Sequence, residues 1–547
     1  MRMENLDTLL YNGRIYTMEA AGDTVEAIGI QDGKIVFAGS SEDAKAYDSR
    51  IKYDLKGATV IPGLSDAHMH MYAYCQNQTF VNLEHAKTMD ELCSLMREKA
   101  EKTPEGTWIK GVAFDQNKLA ENRMPTREDL DKISTKHPIL IRRVCLHAAV
   151  VNSKALELAG VDENYPQPTG GIVEKDGSGM PNGVFREQAT KIFDFIIPDP
   201  LSDKSVKDEV YQTVLQDMHA KGITNIHTYA AQIWNYAEDI DYYKELAEKE
   251  GLGVRITVYL DELFDKEPVT EEEYNNPYRL VQQGGYKLFT DGSLGSRSAA
   301  LKEPYADDPG NSGFMTCSQE DLNEKIFTAY HKGLQPAIHA IGDVALDATL
   351  TAIETAMAKE KECGATEEEL AKRLPFRIIH VQIINEELLT RMKALPVVLD
   401  IQPIFLATDW NWIEDRLGPD RMDGAYAWNT LQQAGLRLTG SSDCPVESYS
   451  PMPGIYAAVS RCGLDGAPKG GYHPEQKLSR FDAVALYTRN PHYATGQEDV
   501  LGLLQEGYFA DLAVLDKDIF EIPEEEILTT KVTHTFVAGN LVYGDLK

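Results

Sequence analysis

The sequence lacks three things: a long apolar run, paired cysteines and an excess of positive charge. No stretch approaches the ~18 consecutive apolar residues of a membrane-spanning helix, and the opening MRMENLDTLLYNGRIYTMEA has no apolar segment of signal-peptide length. The seven cysteines (75, 93, 145, 317, 363, 444 and 462) are scattered, odd in number and without a C-x-x-C pair. That pattern argues against a disulfide framework and fits free thiols in a reducing compartment. Basic residues number 54 against 86 acidic ones, a formal charge of −32. Such a chain repels nucleic-acid phosphates and anionic lipid alike. The expectation is a cytoplasmic protein that acts on a small molecule and binds neither nucleic acid nor membrane, with a homodimer as the default assembly.

What the sequence does have is a large core-forming content, 43% hydrophobic over 547 residues. Residues 1–62 alternate short apolar runs with Asn-Gly, Asp-Gly and Lys-Gly bends, a hairpin texture. The same texture returns over 496–547, in ADLAVLD and KVTHTFVAGNLVYG. Neither end suffices for a sandwich alone, so the expectation is one composite β-sandwich built from 1–62 plus 496–547. Between them, strand-like runs alternate with helical stretches: GITNIHTYA, GVRITVYL, GYKLFTDG, LQPAIHAIG, FRIIHVQ, PVVLDIQP and LRLTGSSD. With TVIPGLSDAHMH at the front they make eight, the count of a (β/α)8 TIM barrel over 63–84 plus 191–495. Residues 85–190 are too long for a barrel loop and predict an inserted α+β subdomain. It leaves from the strand end where barrel active sites lie, which predicts that it covers the site. The fold class is therefore α/β.

The chemistry gathers at strand ends. In VIPGLSDAHMH, His68 and His70 alternate onto one face of an extended segment, roughly 7 Å apart. Lys287, His339, His380 and Asp443 end later apolar strands. Such groups are costly to bury unless paired or bound to metal. Asp66, beside the first histidines, has no assigned role.

The motifs VIPGLSDAHMH, LHAAVVNSKAL, KLFTDGSLGSR, HAIGD, SSDCPVE and GYFADLAVLD run in order through nearly the whole chain. In this the chain resembles the amidohydrolase superfamily, in the large branch that contains N-substituted formamide deformylase. The resemblance implies that His68, His70 and Asp443 hold one metal, and that His339 and His380 hold a second. It also implies that Lys287 bridges them as an Nζ-carbamate, since an ammonium has donors only. If Lys287 is instead a salt-bridged or substrate-facing amine, one metal follows. Zinc suits oxygen and imidazole donors, and Mn, Fe or Ni suit them too. The implied reaction is hydrolysis of a non-peptide C–N bond (amide, formamide or N-acyl) by metal-activated hydroxide, with Asp443 as general acid/base. The rival readings are a deaminase of the same superfamily and a non-catalytic regulatory protein on this fold.

His147, His227, Asp291, Arg297 and Trp410 are candidates for substrate contact, each with a structural alternative. Asp343 is either a partner behind a ligand imidazole or a helix cap. Where relatives usually have Asp-Gly-His and a Trp, this sequence has Cys145-Leu146 and Val150, which points to a different substrate if that segment touches one.

Overall fold

The computed structural model describes residues 5–143, 148–168, 171–231, 238–249 and 251–545. It divides into two compact units: Met1–Tyr72 with Thr213–Lys547, and Ala73–Gln212.

The first unit holds an eight-stranded sheet. Its strands are β1 (Leu64–Met69), β2 (Ile223–Tyr229), β3 (Arg255–Leu260), β4 (Val281–Phe289), β5 (Gln335–Ala340), β6 (Phe376–His380), β7 (Val397–Ile401) and β8 (Arg437–Gly440). They are the eight expected from the sequence. Each pairs in parallel with the next, for example Ile338 with Ile378 and Leu399 with Leu438. The barrel closes just beyond β8: the Asp443 N–H donates to the His68 carbonyl at 2.8 Å, and the His70 N–H to the Cys444 carbonyl at 2.7 Å. β-branched and other apolar residues make these strands buried on both faces, as parallel strands flanked by helices require. The helices start where the sequence supplies caps, at Ser318, Thr366 and Asn385.

The two ends of the chain meet in one sheet, where Thr59–Pro62 pairs antiparallel with Leu512–Leu515. A second sheet, of four strands, comes from residues 5–54. Ile28, Ile30 and Leu10 of that sheet share an apolar cluster with Val60, Leu512 and Phe536 of the first. The Pro62–Gly63 step carries the chain from this region into β1. A Cβ on Gly63 would lie 2.1 Å from Thr224 Oγ1, so glycine is required for that close approach. Arg255 of β3 and Asp511 form a buried ion pair at 2.7 Å that fixes the C-terminal segment to the barrel.

The second unit is built on a six-stranded sheet with helix Met89–Lys102. By its contacts this unit spans Ala73–Gln212, where the sequence reading places an inserted subdomain over 85–190. The reason is packing: Ala189 and Phe193 complete the cluster of Val173 and Phe185, and Gln76 donates to Asp199 at 3.1 Å. Among the described residues, no helix is long and apolar enough to cross a membrane.

Candidate metal centre

All six residues singled out as ligands lie at or just beyond the C-terminal ends of barrel strands, or, for Lys287, near the end of β4. The ligand atoms of His68, His380 and Asp443 lie within 4.8 Å of one another, and all three residues are buried. Asp443 Oδ1 is 3.2 Å from Nε2 of both His68 and His70. The His339 and His380 rings are 4.5 Å apart, and the His68 and His380 rings 5.8 Å. Lys287 Nζ is 3.4 Å from His68 Nε2, between the Tyr229 and Phe289 rings at 5.1 and 4.8 Å.

The hydrogen bonds behind the rings decide what each offers to the centre. His70 Nδ1 is 2.6 Å from the Tyr229 carbonyl, so Nδ1 carries the proton and Nε2 presents a lone pair towards Asp443. His380 Nδ1 is 2.7 Å from Gln402 Oε1. That amide is oriented by its own N–H bonds to the Asp400 carbonyl and Ser441 Oγ, so His380 Nε2 is free. His339 uses Nε2 against the Gly292 carbonyl at 3.1 Å, which leaves Nδ1.

Electrostatics agree. Burial holds His68 and His380 well below the usual imidazole range, and neighbouring Lys287 and His339 respectively lower them further. Burial alone would raise Asp443, but His68 and His70 more than reverse that, and its carboxyl stays well below the carboxylate range. Lys287 is pushed down to about 7 by burial. Nε2 of His68 and Nε2 of His70 thus crowd one ionised carboxylate oxygen, a contact that a shared cation resolves. Buried imidazole nitrogens and a carboxylate oxygen gathered within 4.8 Å are a donor set that suits a cation. The residues fit a metal ion.

The backbone is strained at the same place. His380 and Asp443 have φ of 79° and 56°. These are left-handed conformations that cost non-glycine residues about 1–3 kcal/mol each and gather at functional sites.

Several roles escaped the sequence. Asp66 accepts the N–H groups of His68 and Ser442, each at 3.1 Å, and the Ser442 hydroxyl. It therefore fastens the His68 strand to the Asp443 loop and completes the barrel seam. Gln402 and the Tyr229 carbonyl, which orient His380 and His70, had no sequence signal. Arg377 and Asp400 did: charges inside the apolar strands FRIIH and VVLDI. Both are fully buried and 2.8 Å apart. Arg377 also donates to Tyr259 Oη at 2.9 Å, to the Ala67 carbonyl at 2.8 Å and to His227 Nδ1 at 2.9 Å.

The substrate candidates fare differently. His227 is fully buried against Arg377 and Asn225 in the barrel interior. Arg297 is paired with Asp307 at 2.7 Å, which commits its guanidinium to a loop contact. Asp291 has no side-chain exposure and contacts His339 and three main-chain N–H groups. Asp343 begins helix Asp343–Glu362 and accepts the Val344 and Lys302 N–H groups at 3.1 and 2.9 Å. Trp410 lines an open concavity of about 740 Å3 with Asp307, Glu414 and Tyr472, and no proposed ligand lines it. His147 lies outside the described residues.

An eight-stranded α/β barrel with a buried His/Asp group at its strand ends defines a class, the barrel hydrolases that work with a bound metal. The chain belongs to the amidohydrolase family, whose model matches residues 53–543. It is 34% identical to the Bacillus subtilis protein YtcJ, over 98% of this chain and 99% of that one. It is 26% identical to N-substituted formamide deformylase of Arthrobacter pascens, over 98% of both chains. An uncharacterized metal-dependent hydrolase from Pyrococcus horikoshii superposes with a TM-score of 0.75 at 28% identity, covering 94% of this chain and 99% of that one.

Proposed function

We propose that this protein is a zinc-dependent amidohydrolase that cleaves a non-peptide C–N bond of an amide, formamide or N-acyl compound. The observation that supports it most directly is the meeting of His68 and His70 Nε2 on one oxygen of Asp443, each at 3.2 Å. On this reading His68, His70 and Asp443 hold one metal, His339 and His380 a second, and carboxylated Lys287 bridges the two positions. When bound, the metal acts as a Lewis acid that polarises the scissile carbonyl and makes water a nucleophile at neutral pH.

The chain's own residues do the rest. Asp443, kept ionised, accepts the proton of the attacking water and passes it to the leaving nitrogen. Such a transfer is worth about 10²–10⁴ in rate. Tyr229 and Gln402 hold His70 and His380 in the tautomer that points a lone pair inward. Tyr229 and Phe289 wall Lys287 off from water, which favours a neutral amine able to take up carbon dioxide over an ammonium. The loss of one lysine proton and the gain of CO2 turn that donor into an anion.

The test is a screen of N-formyl, N-acyl amino acid, anilide and ester substrates with metal-reconstituted protein. Hydrolysis of a C–N bond is expected, and Asp443→Asn should remove it without changing the fold. Protein that purifies with clearly substoichiometric metal, and gains no activity when metal is added, would sink the proposal.

A further inference from the structure

We infer that Asp291 is the positioning residue of the second metal position. Its carboxylate stands with the Gly292 carbonyl at His339 Nε2, leaving Nδ1 as the nitrogen offered to the centre, and it ties that ring to the loop after β4. This rests on the two-position reading above.

His70 and His380 are backed by neutral acceptors alone, a main-chain carbonyl and an amide oxygen, whereas His339 Nε2 has the Gly292 carbonyl at 3.1 Å and a carboxylate beside it. Asp291 Oδ1 stands 3.2 Å from His339 Nε2, and a carboxylate there makes the imidazole a stronger donor to metal. The rest of the carboxylate is engaged with main chain. It accepts the Ala300 N–H at 3.0 Å, the Gly342 N–H at 2.8 Å and the Ile341 N–H at 3.1 Å. Among the described residues no Lys or Arg pairs with it. A buried carboxylate without a cationic partner is costly, and helix capping does not account for it, because the three N–H groups come from two different loops.

The loop is the second half of the argument. Residues 290–318 run from β4 to helix Gln319–His331 without a helix or strand, longer than the ~12–15 residues beyond which connections are usually functional. The loop is fastened near its start by Asp291 and farther along by Asp307, which binds both Arg297 and Arg416. At the near end the fit is close: a Cβ on Gly342 would lie 1.9 Å from the Ala300 carbonyl oxygen. Ring, loop and the end of β5 are therefore one piece, with Asp291 at the junction.

The experiment is a cobalt titration of the full-length protein, followed by visible absorption and steady-state kinetics. Asp291→Asn should weaken uptake of the second equivalent about 10–100-fold, alter the cobalt spectrum and lower kcat more than it raises KM, while the first equivalent binds as in the wild type. Asp307→Asn, which releases the loop at its other fastening, should titrate like the wild type. An Asp291→Asn titration equal to wild type, or an equal loss in Asp307→Asn, overturns the inference. If Asp291→Asn does not fold, Asp291→Glu decides: it keeps the charge but displaces it, so an altered second equivalent supports the role and an unchanged one refutes it. Wild-type protein that takes up no cobalt refutes the underlying two-position reading, and this inference with it.

Discussion

Replacing Arg377 with Met tests the claim that a buried charge network under the metal centre holds the barrel interior together. The guanidinium and the Asp400 carboxylate are both fully buried, 2.8 Å apart. Burial alone would lower the arginine pKa, but Asp400 more than reverses it, so the group stays charged. Arg377→Met strands the Asp400 charge with, among the described residues, only the Thr439 hydroxyl as side-chain donor, and breaking a buried pair this way costs about 3–5 kcal/mol. The double variant Arg377→Met/Asp400→Leu removes the stranded charge. What remains is the Ala67 carbonyl, His227 Nδ1 and the Thr439 hydroxyl without these partners, the first two of which the single variant strands as well, while Tyr259 Oη keeps Gln335 at 2.6 Å. Each such group costs about 1–3 kcal/mol, so the double variant should be about as stable as the single one or more so, and clearly more stable than the sum of the two single changes. Urea unfolding of metal-free protein, followed by circular dichroism, measures all four members of the cycle. A single Arg377→Met variant within about 1 kcal/mol of wild type would refute the reasoning, because a stranded buried charge cannot be that cheap. Additive single changes would refute it too. A second consequence is local: Ala67 precedes His68, so metal affinity should fall along with stability.

Three further outcomes are expected. In the second unit, Asp129 is raised by burial but lowered more by Arg123 at 2.6 Å, the Thr126 N–H and Lys132, and rests at about 2. Its folded pKa is depressed, so its contribution is full above the unfolded value near 4 and is lost as pH falls towards 2. Water around the half-exposed Arg123 weakens the pairing, leaving about 1–2 kcal/mol, and Asp129→Asn should flatten the acid limb of an unfolding-versus-pH curve. Gly342→Ala places a methyl carbon against the Ala300 backbone; overpacking of this kind costs about 1–3 kcal/mol, and a melting curve matching wild type would contradict the fit. Gln402→Ala frees His380 Nδ1 and should lower metal affinity about 10–100-fold in chelator competition, without a comparable loss of metal-free stability.

The barrel was legible because its strands are buried on both faces and read as apolar runs, and because the groups that interrupt those runs at their ends are few. Lys287, His339, His380 and Asp443 stood out for that reason. What stayed hidden was whatever depends on contact between distant segments. The sequence places Asp66 and Ser442 376 residues apart, and nothing local says that one accepts the other's N–H. Asp291 read either as a substrate contact or as a turn residue, since Asp-Gly-Ser is turn chemistry; its partners on the β5 loop exist only in the fold. His227 and Arg377 show the converse. A polar residue in an apolar strand marks a buried partner, and the partner can be another strand as readily as a ligand.

Lys287 is where these observations bear hardest on the chemistry. Five of the six converging residues can face a cation with a lone pair or a negative charge. Three of their side chains have a defined group behind them: Tyr229 behind His70, Gln402 behind His380, Asp291 beside His339. Lys287 alone brings only donors, and its Nζ sits 3.4 Å from a histidine nitrogen, between two aromatic faces. Aromatic faces stabilise an ammonium modestly, by about 2 kcal/mol when desolvated, while a metal a few ångströms away repels it far more strongly. A metal in both proposed positions and an ammonium on Lys287 are therefore alternatives. On the proposed reading, protein loaded with two metals carries Lys287 as an anionic carbamate, and an unmodified Lys287 leaves the position of His68, His70 and Asp443. Intact mass cannot separate these states if the carbamate is lost on acidification, but metal uptake with and without bicarbonate can. On the proposed reading the second equivalent depends on bicarbonate and the first does not.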